Sequence, residues 1–195
     1  KPICKQGSDA EIVYEKIKVV LRQIIDDNMT DLDKIIAIHD YLVMNITYDN
    51  DLLEALYNGV NNLKEYRGFY LEGVFLDLDN QYAVCDGLAK AYTLLCRMEG
   101  IECVKINGEV VNQGNHAWNK IRLENPQTSL EEWAYVDTTW GVVSYSQVNE
   151  EKSDEFNVVY DNFEVLSHTY FLTGEEENKI ITFDCFTEEE VGESD

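Results

Sequence analysis

Proline is nearly missing from this sequence: two residues in 195, against twelve tyrosines and a hydrophobic share of 45%. That balance is the reverse of the low-hydrophobicity, proline-rich composition that keeps chains disordered, so a folded protein is expected. Basic residues are scarce as well. Fifteen lysines and arginines face 38 aspartates and glutamates, a net charge of −23, and a field of that sign repels phosphate backbones and anionic lipid headgroups. Nucleic acid and membrane surfaces are therefore poor candidates as partners. No apolar run approaches the roughly 18 residues of a transmembrane helix. Cysteine is thin too: Cys4, Cys85, Cys96, Cys103 and Cys185 form no CxxC pair and are too few for a disulfide scaffold, and their odd number leaves one thiol free in a monomer. With three histidines in all, any chemistry that needs imidazole has few candidates.

The length suits one domain over residues 1–195, divided into a helical N-terminal part (1–66) and a core (67–195) that ends in an acidic tail. The acidic runs "GEEENK" and "TEEEVGESD" read as solvated surface or tail. Lys1 stands where a methionine would, and the expectation is that an upstream segment has been removed.

Helices come first. In "AEIVYEKIKVVLRQIIDD" the apolar residues at 12, 13, 17, 20, 21, 24 and 25 form one helical stripe. Thr30 is a natural N-cap for "DLDKIIAIHDYLVMN", where Asp31 and Asp33 suit the positive end of the helix dipole. "NDLLEALYNG" predicts a partial helix or ordered loop ending at Gly59, and "LKEYRGFYLEGVFLDLDNQYAV" stays open between helix and irregular structure. "CDGLAKAYTLLCRMEG" predicts a helix closed by Gly100, with Cys85 at the start of its apolar stripe and Cys96 further along it. Thereafter "IECVKINGEVV", "HAWNKIRL" and "EWAYVDTTW" are short and rich in β-formers, with "HTYFLTG" and "IITFDCF" as further strand candidates. Helices followed by an antiparallel sheet give an α+β fold.

Cys85 occupies a chemically distinctive place. A thiol with pKa near 8.5 is mostly protonated at neutral pH, and a helix N-terminus or a neighbouring histidine lowers it. The N–H groups of the same turn can hold the oxyanion of a tetrahedral intermediate. A cysteine on an apolar stripe is also, in most proteins, an inert core residue. Of the histidines, His39 falls among core positions of the second helix and His168 at a strand edge, which leaves His116, opening "HAWNKIRL", as the best base. If that strand and "EWAYVD" form a hairpin turning at residues 125–128, opposed positions sum to 253 and His116 faces Asp137, with Trp118 opposite Tyr135 and Lys120 opposite Trp133. A carboxylate there fixes the imidazole tautomer and stabilises its protonated form, while the second ring nitrogen addresses a thiol. A one-residue slip would separate the pair onto opposite faces, and the shared face is the firmer expectation than direct opposition.

"AVCDGLAKAYTLLCRMEGIECVKINGE", "NHAWNKIRL" and "WAYVDTTW", in that order, resemble the bacterial transglutaminase-like superfamily, a compact relative of papain-type cysteine peptidases. The resemblance covers about residues 70 to 140. It implies a papain-like core in which the nucleophile-bearing helix packs on an antiparallel sheet, with Cys85 as nucleophile, His116 as general base and acid, and Asp137 as orienter. Trp118 and Trp140 then either line the cleft or anchor the core, and Gln81 is a candidate oxyanion donor. Leu88 stands where these proteins usually carry an aromatic residue, and Gly141 where an aspartate is common.

The function this implies is cysteine-dependent acyl transfer from peptide or protein amides through a thioester, with water or an amine as acceptor. A non-catalytic domain that binds peptides or proteins on the same fold is the alternative, although a binder gains nothing specific from all three residue types. Cys85, His116 and Asp137 make a poor metal set because no two lie at short ligand spacing, and no D-x-[DN]-x-[DN]-G calcium loop occurs, so neither metal nor cofactor is expected. The resemblance and the non-methionine start favour export to the cell envelope, with the cytoplasm as the other compartment. Substrate identity and oligomeric state are not written in the sequence.

Overall fold

A computed structural model describes residues 4–59, 66–110, 114–124, 129–142 and 171–173. Within them the helical half comes first: α1 (Asp9–Ile24), α2 (Asp31–Asn45), α3 (Asn50–Tyr57), α4 (Leu71–Phe75) and α5 (Cys85–Met98). A four-stranded antiparallel sheet follows, in the spatial order β3 (Cys103–Val110), β4 (Gly114–Glu124), β5 (Glu131–Val136), β6 (Phe171–Thr173). The predicted α+β order is the observed one. "IITFDCF", His168 and Cys185 lie outside the described residues.

Local chemistry sets the helix limits. Ser8 caps α1 by accepting from the Glu11 amide, and Thr30 caps α2 in a reciprocal box with Asp33, whose carboxyl is held below its usual pKa by the Thr30 hydroxyl and amide. Asp49 caps α3, which stops before Gly59 at φ 72°. α5 is closed by Glu99 as C-cap and then by Gly100, whose φ of 83° lets the Ile101 amide turn back to the Cys96 carbonyl at 3.0 Å.

The segment left open between residues 63 and 84 resolves, from residue 66 on, into short pieces. A single 3₁₀ turn (Arg67–Phe69) leads into α4, and the two-residue strand β2 (Tyr82–Ala83) pairs in parallel with β1 (Thr47–Tyr48). This second sheet is absent from the sequence reading because two residues cannot display a period of two.

α5 is the central element. One side packs on α2 and α4, the other on β3 and β4, and its Leu88, Ala91, Tyr92, Leu95 and Cys96 join a core with Ile17 and Val20 of α1, Ile35, Ile38 and Leu42 of α2, and Ile121 and Val136 of the sheet. Asn119, fully buried, ties the sheet to the helix: its Nδ2 donates to the Ala89 carbonyl at 3.0 Å and to the Thr93 hydroxyl at 2.8 Å.

The β4–β5 register differs from the expected one by two residues. Lys120 opposes Tyr135 and Arg122 opposes Trp133, so opposed positions sum to 255, and the ladder closes at Glu124 opposite Glu131. The connection therefore spans residues 125–130, longer than a four-residue turn, which is why the offset moved. An even shift preserves the face of every side chain. His116 and Asp137 lie past the ladder's last pair, Asn119 with Val136, and approach each other diagonally rather than head-on.

Candidate active site

Three elements converge at the start of α5. Val84, the N-cap, is extended and offers no side-chain acceptor, so no capping side chain offsets the positive end of the helix dipole beside Cys85. Gly87, on the first turn, lets the 3₁₀ segment lie directly against the helix, and the Val84 amide donates to the Gly68 carbonyl at 3.1 Å. Asp86 carries the acidic charge of that first turn. Burial works against its ionisation, but Lys105 at 2.7 Å and Lys90 outweigh it and hold the carboxyl below the usual range.

His116 comes in from β4. Its Nε2 meets Asp137 Oδ2 at 2.6 Å, with both side chains nearly buried. Asp137 follows directly on β5, and its Oδ1 accepts from the Thr139 amide at 3.0 Å, which fixes the carboxylate at the head of the helical turn formed by residues 138–142. Since Nε2 is engaged by Asp137, Nδ1 is the ring nitrogen left for the Cys85 side chain, whose proximity also acts on the imidazole. Burial alone would push the imidazole down. The Asp137 charge and hydrogen bond, reinforced by Cys85, overcome burial and raise its pKa to about 10. The site thus sets a protonated imidazole beside a thiol at a helix N-terminus.

The flanking aromatics take different places. Trp118, two residues along the same strand face, stacks on His116 at a centroid distance of 5.8 Å and an interplanar angle of 16°, and is only 5% exposed. Trp140 is half-buried and tilts over the imidazole at 6.0 Å and 47°. Both restrict the ring, and Trp140 keeps the more open face of the two. Gln81 is buried, its Nε2 donating to the Val74 carbonyl at 2.6 Å and to the Tyr41 hydroxyl at 3.1 Å. It bridges α2 and α4, and an amide so engaged has no donor ready for a substrate oxygen. His39 lies 1% exposed in α2 with its Nδ1 at 2.9 Å from Asp40 Oδ1.

Tyr48 is the neighbour that sequence reasoning missed. Its phenol oxygen accepts from the Cys85 backbone N–H, and burial, the first cause, together with the charges of Cys85 and Asp137, raises its pKa far above the ordinary value. The only sequence trace is a tyrosine in "NITYD" between two helices. Among the described residues no group of three or more His, Cys, Asp or Glu side chains could hold a metal ion.

The pattern of the transglutaminase-like superfamily matches residues 18–138. The kyphoscoliosis peptidase of Mus musculus is 26% identical over 175 residues, covering 82% of this chain and 23% of its own, and that of Homo sapiens is 25% identical over 160 residues, covering 76% and 21%. The chain thus spans less than a quarter of these relatives. A solved structure described as a TGase aligns at 18% identity with a TM-score of 0.49, over 67% of this chain and 31% of that one.

Proposed function

Since this chain belongs to the transglutaminase-like superfamily, we propose that it is a cysteine-dependent acyl-transfer enzyme acting on carboxamides of peptides or proteins. Cys85 is the nucleophile, His116 the general base and acid, and Asp137 the orienting carboxylate. The observation that carries this reading is the 2.6 Å contact between His116 Nε2 and Asp137 Oδ2 on an imidazole that also bonds Cys85 at the start of α5.

The chemistry follows from these positions. The Cys85 thiolate, paired with protonated His116, attacks the carboxamide carbon, and the electron pair of the C=O moves onto oxygen. Collapse of the tetrahedral intermediate breaks the C–N bond as His116 gives its proton to the departing nitrogen, leaving a thioester on Cys85. His116, now neutral, takes a proton from the incoming water or amine, whose attack on the thioester releases the acyl group and restores the thiolate–imidazolium pair. Asp137 stays ionised throughout and keeps the ring turned to the sulfur. The two mammalian relatives are named peptidases, which favours water as acceptor and a peptide bond as the bond cleaved.

Acylation by p-nitrophenyl acetate at pH 7, read by peptide mass spectrometry, tests this. Acetyl should accumulate on Cys85 well ahead of Cys4, and His116→Ala should slow it by about 10²–10⁴-fold. Cys85 acetylated no faster than Cys4 would remove the catalytic reading and leave a peptide-binding domain.

A further inference from the structure

The carboxylate next to the nucleophile joins three elements. Asp86 follows Cys85 on the first turn of α5, and both of its oxygens are engaged. Oδ1 accepts from Lys105 Nζ of β3 at 2.7 Å, and Oδ2 accepts from Lys90 Nζ one helical turn along. Each lysine has a second anchor: Lys90 Nζ donates to the Phe69 carbonyl of the 3₁₀ turn at 2.9 Å, and Lys105 Nζ donates to Asn107 Oδ1. An isolated surface ion pair contributes little, because water screens it and side-chain entropy opposes it. Here the Asp86 and Lys105 side chains are only 24% and 23% exposed, so the network is less screened and its geometry is held at several points.

The place of Lys105 in the sheet gives this network a use. Lys105 opposes Asn119 in the β3–β4 ladder, and Asn119 reaches α5 through the Ala89 carbonyl, so this face of the sheet lies on the helix. Three residues further along β3, roughly 10 Å away, Gly108 opposes His116. The link from Lys105 to Asp86 therefore spans the same two bodies as the approach of His116 to Cys85, namely the start of α5 and the β3–β4 pair. Asp86 would otherwise be awkwardly placed. A carboxylate suits the positive end of a helix dipole, yet it is a like charge to a thiolate one residue away. The two ammonium groups offset that charge while they tie the helix down.

We propose that Lys105 and Asp86 are positioning residues, their ion pair holding the first turn of α5 against β3 and so setting how closely Cys85 meets the imidazole of His116. The inference rests on the reading of Cys85 and His116 as a working pair. Neither Lys105 nor Asp86 touches the reacting atoms. With the link broken, the helix start is free to move relative to the strand that carries His116, and the thiolate loses part of the imidazolium that stabilises it.

Alkylation of Cys85 by iodoacetamide over a pH series, read by peptide mass spectrometry, tests this without requiring turnover. In Lys105→Met, which keeps the side chain's length without its charge, the rate at pH 6 should fall about 10-fold as the thiolate limb of the profile moves to higher pH. Lys105→Arg, which keeps charge and donors, should retain the wild-type profile. Asp86→Ala should move the limb in the same direction as Lys105→Met, and the double variant should be no slower than the slower single one, because a single link can be lost only once. A purely electrostatic role gives Asp86→Ala the opposite sign, since removing a negative charge favours the thiolate, and that result overturns the proposal. A Lys105→Met protein that loses stability in urea with its pH profile unmoved also overturns it, because the pair would then be structural alone. Failure of the Cys85–His116 reading shows in the wild-type arm by itself, as Cys85 neither alkylated nor acetylated ahead of Cys4, and removes this role with it.

Discussion

Gly87, on the first turn of α5, lies so close to Gly68 that a Cβ added to it would overlap the Gly68 carbonyl oxygen and touch the Ala83 methyl at 3.1 Å. The carbonyl cannot easily retreat, since it accepts from the Val84 amide at 3.1 Å, and a Cβ on Gly68 itself would reach Asp49 Oδ2 at 2.5 Å. Asp49, Gly68 and Gly87 thus form a stack that holds the start of the nucleophile helix against the chain segment before α4. Two effects compete in Gly87→Ala. Helix propensity alone would favour alanine by roughly 0.5–1 kcal/mol, while forcing a methyl into a filled site costs about 1–3 kcal/mol. The steric cost wins, and urea denaturation should show a net loss of stability together with slower iodoacetamide alkylation of Cys85. A variant as stable as the wild type would mean that the segment can lift away.

The pH behaviour of His116 follows from its neighbours. With a folded pKa of about 10 and an unfolded value near 6.5, the imidazolium contributes stability that is fully present below about pH 6.5 and is lost as pH rises through about 10. In Asp137→Asn the carboxylate charge disappears and burial, which lowers the pKa, loses its main opponent. The His116 ring resonances, traceable by NMR against only two other histidines, should stay in the protonated form through pH 8 in the wild type. In the variant they should titrate at lower pH. A wild-type ring that titrates near the ordinary value would undo this account.

Thiol reactivity should sort by environment. Cys96 and Cys103 are fully buried against each other between α5 and β3. Burial pushes the Cys96 thiol up, and its hydrogen bond to Cys103 pulls the Cys103 thiol down despite that residue's own burial. At pH 6 an ordinary thiol is less than about 1% ionised. Peptide mapping after iodoacetamide at that pH should therefore find Cys85 modified first, Cys4 slowly, and Cys96 and Cys103 only once denaturant is added. Early labelling of Cys96 would show that the core opens readily, and parity between Cys4 and Cys85 would show that the thiol is not activated.

The sequence made some of this legible and hid the rest for physical reasons. Helices α1, α2 and α5 carry long apolar stripes and recognisable caps, so periodicity located them. His116 and Asp137 were reachable because alternation along a strand specifies which face a side chain takes. Alternation does not specify the offset between strands: the two-residue shift to Lys120 opposite Tyr135 leaves every face intact and depends on a connection whose length only the fold reveals. Gln81 looked like an oxyanion donor because it stands close to Cys85 in the chain, whereas its partner Tyr41 is 40 residues away in α2. Tyr48 was invisible for the converse reason. Its place beside Cys85 is made by two-residue strands, whose pairing leaves no pattern in the sequence.

Gly141 offers a test of why this chain departs from the aspartate that the resemblance would place after Trp140. A Cβ there would meet Val43 Cγ2 at 2.7 Å and His39 Nε2 at 3.5 Å, and Val43 is 1% exposed in the last turn of α2. The turn of residues 138–142 therefore lies almost directly on α2, and it begins one residue after Asp137. Gly141→Ala should cost about 1–3 kcal/mol by overpacking, and Val43→Ala should cost about 0.5–3 kcal/mol by leaving a gap. Because each change supplies the space or the atoms that the other lacks, the double variant should be more stable than the sum of the two losses allows, with a coupling of about 0.5–3 kcal/mol in a denaturant-based cycle. Gly141→Asp should be worse than Gly141→Ala, since it adds a charge to the same closed contact. Strict additivity of Gly141→Ala and Val43→Ala would show that the turn and α2 are not in register as described. The seat of Asp137 would then be set by β5 alone.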